Sequence, residues 1–438
     1  MIILNRNIKG GRFYFMLFSN VREDEFEYIK EFERNHVVYK EVKLKNRGCR
    51  CTNCGTFHTN VKEYITKKII HSIYAYQECI ILYKHRRFIC PKCGTTHMEE
   101  NPFCSDVARL SDRTIENVLT DLKRYNNTYT STAERNGITV RGTIAIFDRY
   151  CQMERNILPR VLCVDEVYFS RKRKKKYVLI MLNFFNRAII DVLKDRDKHT
   201  IGAYLSKISR EERNRVEYVS IDMNEYYRDV FTIYLRNATI IVDSFHVVKR
   251  VGQSLDTIRK KILRRFEDNK KCDEYYLLKY RDELLYTDTI SYERKKNHHF
   301  KYYISDLDIL ERMLSIDPEL EKAYELYHMY IDFNNTDYHT NLNEAENRLN
   351  EIIIEYKLSG IDTFYNLALT LEEWKNEIVN SFSHVNGKRV SNGPIEGRNS
   401  LIKKIIKLAN GYSNFKRFRN RIIYSLNTYA HHNFKSST

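Results

Sequence analysis

Val161-Leu162-Cys163-Val164-Asp165-Glu166 is the stretch on which the reading of this chain turns. Four apolar residues, two of them β-branched, run straight into an acid. That is how a buried strand delivers a carboxylate to the end of a sheet. Outward from it, strands are expected over residues 160–170, 177–186 and 188–194. A helix over 201–208 follows, then Val216-Glu217-Tyr218-Val219-Ser220-Ile221-Asp222, a second strand that ends on an acid. A helix over 225–235 and a fifth strand over 238–243 come next, just before Phe245-His246.

Three strands, helix, strand, helix, strand is the order of a ribonuclease H-like core, with its acids on strand one and after strand four. Those acids are Asp165 and Asp222. A third, Glu396, lies in Asn392-Gly393-Pro394-Ile395-Glu396-Gly397-Arg398-Asn399 at the start of an amphipathic helix. Two carboxylates at strand ends and one on a helix can hold two Mg²⁺ (or Mn²⁺) ions, which clamp the attacking and leaving oxygens of a phosphodiester displacement. Alone, Glu396 would read as a solvated acid favoured by the helix dipole. Asp243 and His246 are expected beside this site, His246 tuning or orienting water, or else as hydrogen-bonded structural residues. Glu166 should point to the other strand face and is not counted as a ligand.

Composition points the same way. The 438 residues carry a net charge of +17, which favours a polyanionic partner and salt-sensitive binding. Gly (14) and Pro (5) are scarce, which argues for long helices and against disorder. No apolar run is long enough to span a bilayer. Phe13-Tyr14-Phe15-Met16-Leu17-Phe18 lacks the flanks of a signal peptide. A cytoplasmic location, on the nucleoid, is expected, and no membrane partner.

Two CxxC-Gly knuckles stand out among ten cysteines: Cys51-Thr52-Asn53-Cys54-Gly55 and Cys90-Pro91-Lys92-Cys93-Gly94. β-favouring sequence joins them, as a four-thiolate zinc ribbon requires, so one structural Zn²⁺ is expected on Cys51, Cys54, Cys90 and Cys93. Cys49 could replace Cys51, although its distance from Cys54 is wrong for a knuckle. A zinc deaminase is excluded, because H-x-E with P-C-x-x-C is absent.

A helix capped by Ser111 should bury Ile115, Val118, Leu119, Leu122 and Tyr125. Thr130 is then expected to cap a short helix, Asn136-Gly137 to make a turn, and Thr139 to cap a third helix with Val140, Ile144 and Phe147 inward. This is a helix-turn-helix pattern with Arg141 at the start of the recognition helix, or else an ordinary helical hairpin. Residues 250–390 read as helical, with stripes such as Ala345, Leu349, Ile352, Ile353 and Tyr356. Their tyrosines are expected at the rim of a helical core rather than as a base-stacking surface. In the last segment Glu396, Lys403 and Lys407 share a helix face, so the lysines could follow DNA phosphates away from the acid. Arg171-Lys172-Arg173-Lys174-Lys175-Lys176 is a hairpin tip, either solvated or a phosphate grip.

In order along the chain, these pieces resemble the DDE transposases of bacterial insertion sequences, ISL-three group. The resemblance rests on the two knuckles with Arg86-Arg87-Phe88, the helix-turn-helix, and Val164-Asp165-Glu166. It rests further on Ser220-Ile221-Asp222-Met223 with Tyr226, Asp243-Ser244-Phe245-His246-Val247, Ser391 through Gly397 with Asn399, and Gly411-Tyr412-Ser413-Asn414-Phe415. It covers roughly residues 36–430, and either Met1 or Met16 could be the start. It implies that Asp165, Asp222 and Glu396 are the catalytic acids of an enzyme that binds terminal inverted repeats, cuts DNA and joins the ends to target DNA, as a homo-oligomer on double-stranded DNA. The rivals are a Mg²⁺-dependent nuclease without joining activity and a DNA-binding regulator derived from a transposase. The expected architecture is multidomain α+β. It comprises an extension (1–45), zinc ribbon (46–104), helix-turn-helix (105–155), first part of the ribonuclease H-like core (156–249), helical insertion (250–390) and C-terminal core helices (391–438).

Overall fold

The computed structural model describes residues 21–74, 77–105, 109–170 and 176–435. The chain divides into two compact units, Met1–Arg155 with Leu401–Thr438, and Asn156–Ser400. It is a mixed α+β protein. The apolar run at 13–18 and most of the basic tip at 171–176 lie outside the described residues.

The first unit opens on a mixed sheet. Strands β1 (Phe26–Arg34), β2 (Val37–Leu44), β3 (Cys49–Arg50), β4 (Phe57–His58), β5 (Val61–Tyr74), β6 (Gln77–Ile89) and β7 (Thr96–Met98) follow in order. The sheet order is β1-β2-β6-β5, with β7 on β6 and with β3 and β4 paired separately. β2 runs parallel to β6, and β5 and β6 form a long antiparallel ladder. Val42, Ile69, Ile81, Tyr83 and Phe103 make its core. Two of these strands fall within 1–45, where the sequence suggested no element.

Three helices follow: α1 (Asp112–Lys123), α2 (Tyr129–Asn136) and α3 (Val140–Tyr150). Ser111 caps α1 and Thr139 caps α3, as expected. Thr128, not Thr130, caps α2; its side chain accepts from the Ser131 N–H while Ser131 returns a bond to the Thr128 N–H. Gly137 ends α2 at φ 63°, a left-handed position that suits glycine. The inward face of α3 is Thr143, Ile146 and Phe147; Val140 points outward, 39% exposed, and so does Tyr125.

The second unit is built on strands β8 (Val161–Tyr168), β9 (Tyr177–Asn183), β10 (Ile189–Leu193), β11 (Tyr218–Ile221) and β12 (Thr239–Val242), in the order β10-β9-β8-β11-β12. β8, β9 and β10 pair antiparallel, while β11 lies parallel to both β8 and β12. α4 (Lys198–Leu205) and the short α5 (Arg210–Asn214) precede β11, and α6 (Glu225–Tyr234) joins β11 to β12. Parallel strands need such crossovers. α7 (Ser244–Leu263) begins directly after β12. Then come α8 (Asp273–Tyr280), α9 (Asp306–Leu314), α10 (Pro318–Asn335), α11 (Leu342–Leu358), α12 (Asp362–Glu373) and α13 (Lys375–Asn380), interrupted by two two-stranded ladders. The stripe of α11 is buried as expected, and Tyr327, Tyr330 and Tyr356 are core residues. The expected stripe Leu367, Leu371, Trp374 and Ile378 is also buried, although the helix breaks at Trp374. α14 (Gly393–Leu408) and α15 (Phe415–Leu426) end the fold.

Candidate active site and metal centres

The sheet register brings three aspartates to one level. Cys163 pairs with Ser220 across β8 and β11, and Ile221 pairs with Val242 across β11 and β12. Continued by one or two residues, that register sets Asp165, Asp222 and Asp243 side by side; Asp222 and Asp243 directly follow β11 and β12, whereas Asp165, expected at a strand end, lies inside β8, which runs on to Tyr168 along β9. The Asp243 N–H still donates to the Ile221 carbonyl, at 2.9 Å. His246, in the first turn of α7, puts its Nε2 2.9 Å from Asp222 Oδ1 and 3.9 Å from Asp243 Oδ2. Asp222, Asp243 and His246 can thus offer ligand atoms within 4.8 Å of one another. Asp243, which the sequence put beside the site, lies within it.

The segment before α14 is stitched to this edge. The Asn392 N–H donates to Asp243 Oδ1 at 3.2 Å, and the Asn392 side-chain amide donates to the Val164 carbonyl at 3.2 Å. Asn399 donates to Asp165 Oδ2 at 2.5 Å, while the Glu166 N–H donates to Asp165 Oδ1 at 2.7 Å. Asn392 and Asn399 are 1% and 3% exposed. Sequence reasoning read Asn392 with Gly393 as the entry to the helix and gave Asn399 no role beyond its occurrence in the family motif. Glu396 lies one turn before Asn399 and is exposed, close enough for its charge to act on Asp243.

Crowded, half-dry carboxylates repel. Burial first, then the charge of Asp222, pushes Asp165 up to about 7, against the pull of the Glu166 N–H and His246. Asp243 is also raised, chiefly by burial. His246 is raised through its bond to Asp222. Among the described residues, Asp243 Oδ2 is buried without a hydrogen-bond partner, as are the side-chain oxygens of Asn392 and Asn399. A divalent cation would relieve both the repulsion and the unpaired oxygen, so the donor set fits a hard metal ion. Glu166 is engaged elsewhere, accepting from Tyr227 Oη at 2.7 Å and pairing with Arg196.

The two knuckles bring Cys51, Cys54, Cys90 and Cys93 together, with Sγ atoms 3.5 Å apart for Cys51–Cys93 and for Cys54–Cys90. Gly55 and Gly94 take φ 69° and 71°, the left-handed turn each knuckle needs. The Thr95 hydroxyl and N–H bring the Cys93 thiol down to about 6, which favours the thiolate a soft metal requires. The cluster is compatible with a structural zinc. Cys49 does not substitute for Cys51; it lies against His97 instead. Arg141, Lys403 and Lys407 are exposed. No helix among the described residues is long and apolar enough to cross a membrane.

A curated relative, the transposase for insertion sequence element IS1001 of Bordetella parapertussis, is 20% identical over 251 residues, covering 53% of this chain and 59% of its own length. The match thus spans little more than half of that relative. The profile of the ISL3 group of DDE enzymes, described as transposase, matches residues 162–422, from β8 into α15. With more than half of its length matched in this way, the chain belongs to the ISL3 family of DDE transposases.

Proposed function

We propose that this transposase binds the inverted-repeat ends of an insertion sequence, hydrolyses DNA strands there and joins the freed 3′-hydroxyls to target DNA. The observation that carries the reading is the row of aspartates on β8 and just after β11 and β12, with a buried carboxylate oxygen that has no partner among the described residues. Asp165, Asp222 and Glu396 are the acids proposed to hold two Mg²⁺ or Mn²⁺ ions; when bound, the ions activate the attacking oxygen and neutralise the leaving one. Asn399 and the Glu166 N–H fix the Asp165 carboxylate, and Asn392 fixes Asp243. His246 holds Asp222 and can accept or give a proton at Nε2.

The strand order of the second unit supports a ribonuclease H-like core over 156–249, with a helical insertion over 250–390 and core helices over 391–438. The four cysteines support a zinc ribbon over 46–104. The short turn between α2 and α3 supports a helix-turn-helix over 105–155 that offers Arg141 to DNA bases, while Lys403 and Lys407 contact phosphates. A homo-oligomer assembled on paired DNA ends is part of the proposal.

The test uses a labelled terminal-repeat duplex with Mg²⁺. Asp165→Asn, Asp222→Asn and Glu396→Gln should each abolish cleavage and joining while keeping end binding. If Glu396→Gln stays active while Asp243→Asn is dead, Asp243 replaces Glu396 in the acid set. Cleavage without joining would indicate a plain nuclease, and full function in every acid variant would reject the mechanism.

A further inference from the structure

The two knuckles repeat beyond their cysteines. Cys51-Thr52-Asn53-Cys54-Gly55-Thr56-Phe57-His58 and Cys90-Pro91-Lys92-Cys93-Gly94-Thr95-Thr96-His97 both read C-x-x-C-G-T-x-H. Their backbones repeat as well. The Gly55 N–H donates to the Cys51 carbonyl at 3.0 Å and the Gly94 N–H to the Cys90 carbonyl at 2.9 Å. The Cys51 and Cys90 N–H groups donate to the Thr56 and Thr95 carbonyls, both at 2.9 Å. The thiolates account for four positions of this repeat. The histidines have no part in the four-thiolate centre, yet the same symmetry brings them together, ring centroids 5.4 Å apart and planes at 78°.

Cys49 completes the group. It lies directly across the β3–β4 ladder from His58. Its Sγ is 2.9 Å from His97 Nε2 and 4.0 Å from His58 Nε2, and the three ligand atoms lie within 4.8 Å of one another. Tetrahedral zinc, with bonds of roughly 2.3 Å to sulfur and 2.0–2.1 Å to nitrogen, separates its S and N ligands by about 3.6 Å. The two observed distances bracket that value. His58 is 5% exposed, so its imidazole is largely out of water, and the Nε2 atoms of both histidines face the Cys49 sulfur. The residue two before the second knuckle, equivalent to Cys49, is Phe88. Its ring stacks on His97 and meets His58 edge-on, so it walls one side of the pair.

We propose that Cys49, His58 and His97 form a second zinc site, separate from the four-thiolate centre. One thiolate and two imidazoles hold the ion, and a fourth position is left for water or another small ligand. The site takes one histidine from each knuckle and so braces the two against each other. The four-thiolate centre is coordinatively closed; this one is open.

Zinc per chain is measured on the full-length protein after exhaustive dialysis against metal-free buffer. Wild type should exceed His97→Phe by one zinc per chain, and should exceed Cys49→Ser by the same amount. Zinc held adventitiously by the Asp222, Asp243 and His246 cluster is common to all three proteins and cancels in the difference. Retention of the remaining zinc together with an unchanged far-ultraviolet spectrum establishes that a variant is folded. A second readout needs no variant of the histidines: Cys49 should resist N-ethylmaleimide in zinc-loaded protein and react once a chelator has removed the more labile ion. Equal zinc in wild type and both variants, or Cys49 alkylation at the same rate with and without zinc, overturns the proposal and leaves the group as a thiol–imidazole hydrogen bond.

Discussion

Asp165→Asn should make the metal-free protein more stable while removing its chemistry. Asp165 is pushed to about 7 from the ordinary 3.8, roughly three units. At about 1.36 kcal/mol per unit, the cost of ionising it in the folded state has a ceiling on the order of 4 kcal/mol. The substitution removes that cost and adds another, since a new amide donor would meet the Asn399 donor. The Asn399 amide can turn over, because its Oδ1 is buried without a partner among the described residues, so the residual penalty is one unmade hydrogen bond, about 1 kcal/mol. A net gain of roughly 2–3 kcal/mol is expected at about pH 8. The sign follows from the raised folded-state pKa. The favourable contribution of Asp165 is fully present below its unfolded value, is lost as pH rises through about 7, and stays lost above it. The gap between variant and wild type should therefore close on acidification towards about pH 4. Trp374 is the chain's one tryptophan, 3% exposed and in the same unit as Asp165, so its fluorescence during urea unfolding reports the right unit. Saturating Mg²⁺ should narrow the gap by stabilising wild type. A variant no more stable than wild type at about pH 8, or a gap independent of pH, would refute the electrostatic account.

Three further outcomes are expected. Arg421→Met should destabilise the first unit by roughly 2–4 kcal/mol, read by thermal melting, because Arg421 is 1% exposed and donates to the Arg124 and Asn127 carbonyls at 2.9 and 2.7 Å. Stripping metal with a chelator, or Cys54→Ser, should expose the β1–β7 region to protease while the fluorescence of Trp374 stays native; an unchanged digestion pattern counts against a structural ion there. Arg141→Ala should bring terminal-repeat affinity close to random-DNA affinity in competition binding, whereas Lys407→Ala, at a proposed phosphate contact, should weaken both about equally.

The sheet around the acids was legible because its strands are short apolar runs with an acid or a turn at each end, a pattern that needs no tertiary information. Observed strand and helix boundaries there fall within about three residues of expectation. The first two strands were not legible, and Lys40 shows why. It sits in the buried phase of β2 between Val38 and Val42, fully enclosed, its Nζ 2.6 Å from Glu31. A charged residue on the inward face breaks the alternation that announces a strand, and only its partner on the neighbouring strand explains it. The shift of the α2 cap from Thr130 to Thr128 has a local cause: Thr128 and Ser131 satisfy each other's backbone, whereas Thr130 faces solvent. At the candidate site the acids could be seen as acids. The contributions of Asn392 and Asn399 could not: Asn392 at the helix entry reads as a cap, and Asn399, inside α14, reads as an ordinary polar helix residue until the strand each reaches is known.

The bond from Asn399 to Asp165 joins residues 234 apart in sequence. A ribosome adding roughly 5–20 residues per second needs on the order of 10–50 seconds to make that length. β8, β11 and β12 emerge early and can pair, but the asparagines that orient Asp165 and Asp243 arrive only after the whole helical block. During translation, then, the polypeptide carries its three aspartates as an unfinished cluster while the whole helical block is made. The contacts that orient them form only near the close of synthesis, so the order of the elements along the chain delays completion of the proposed active site.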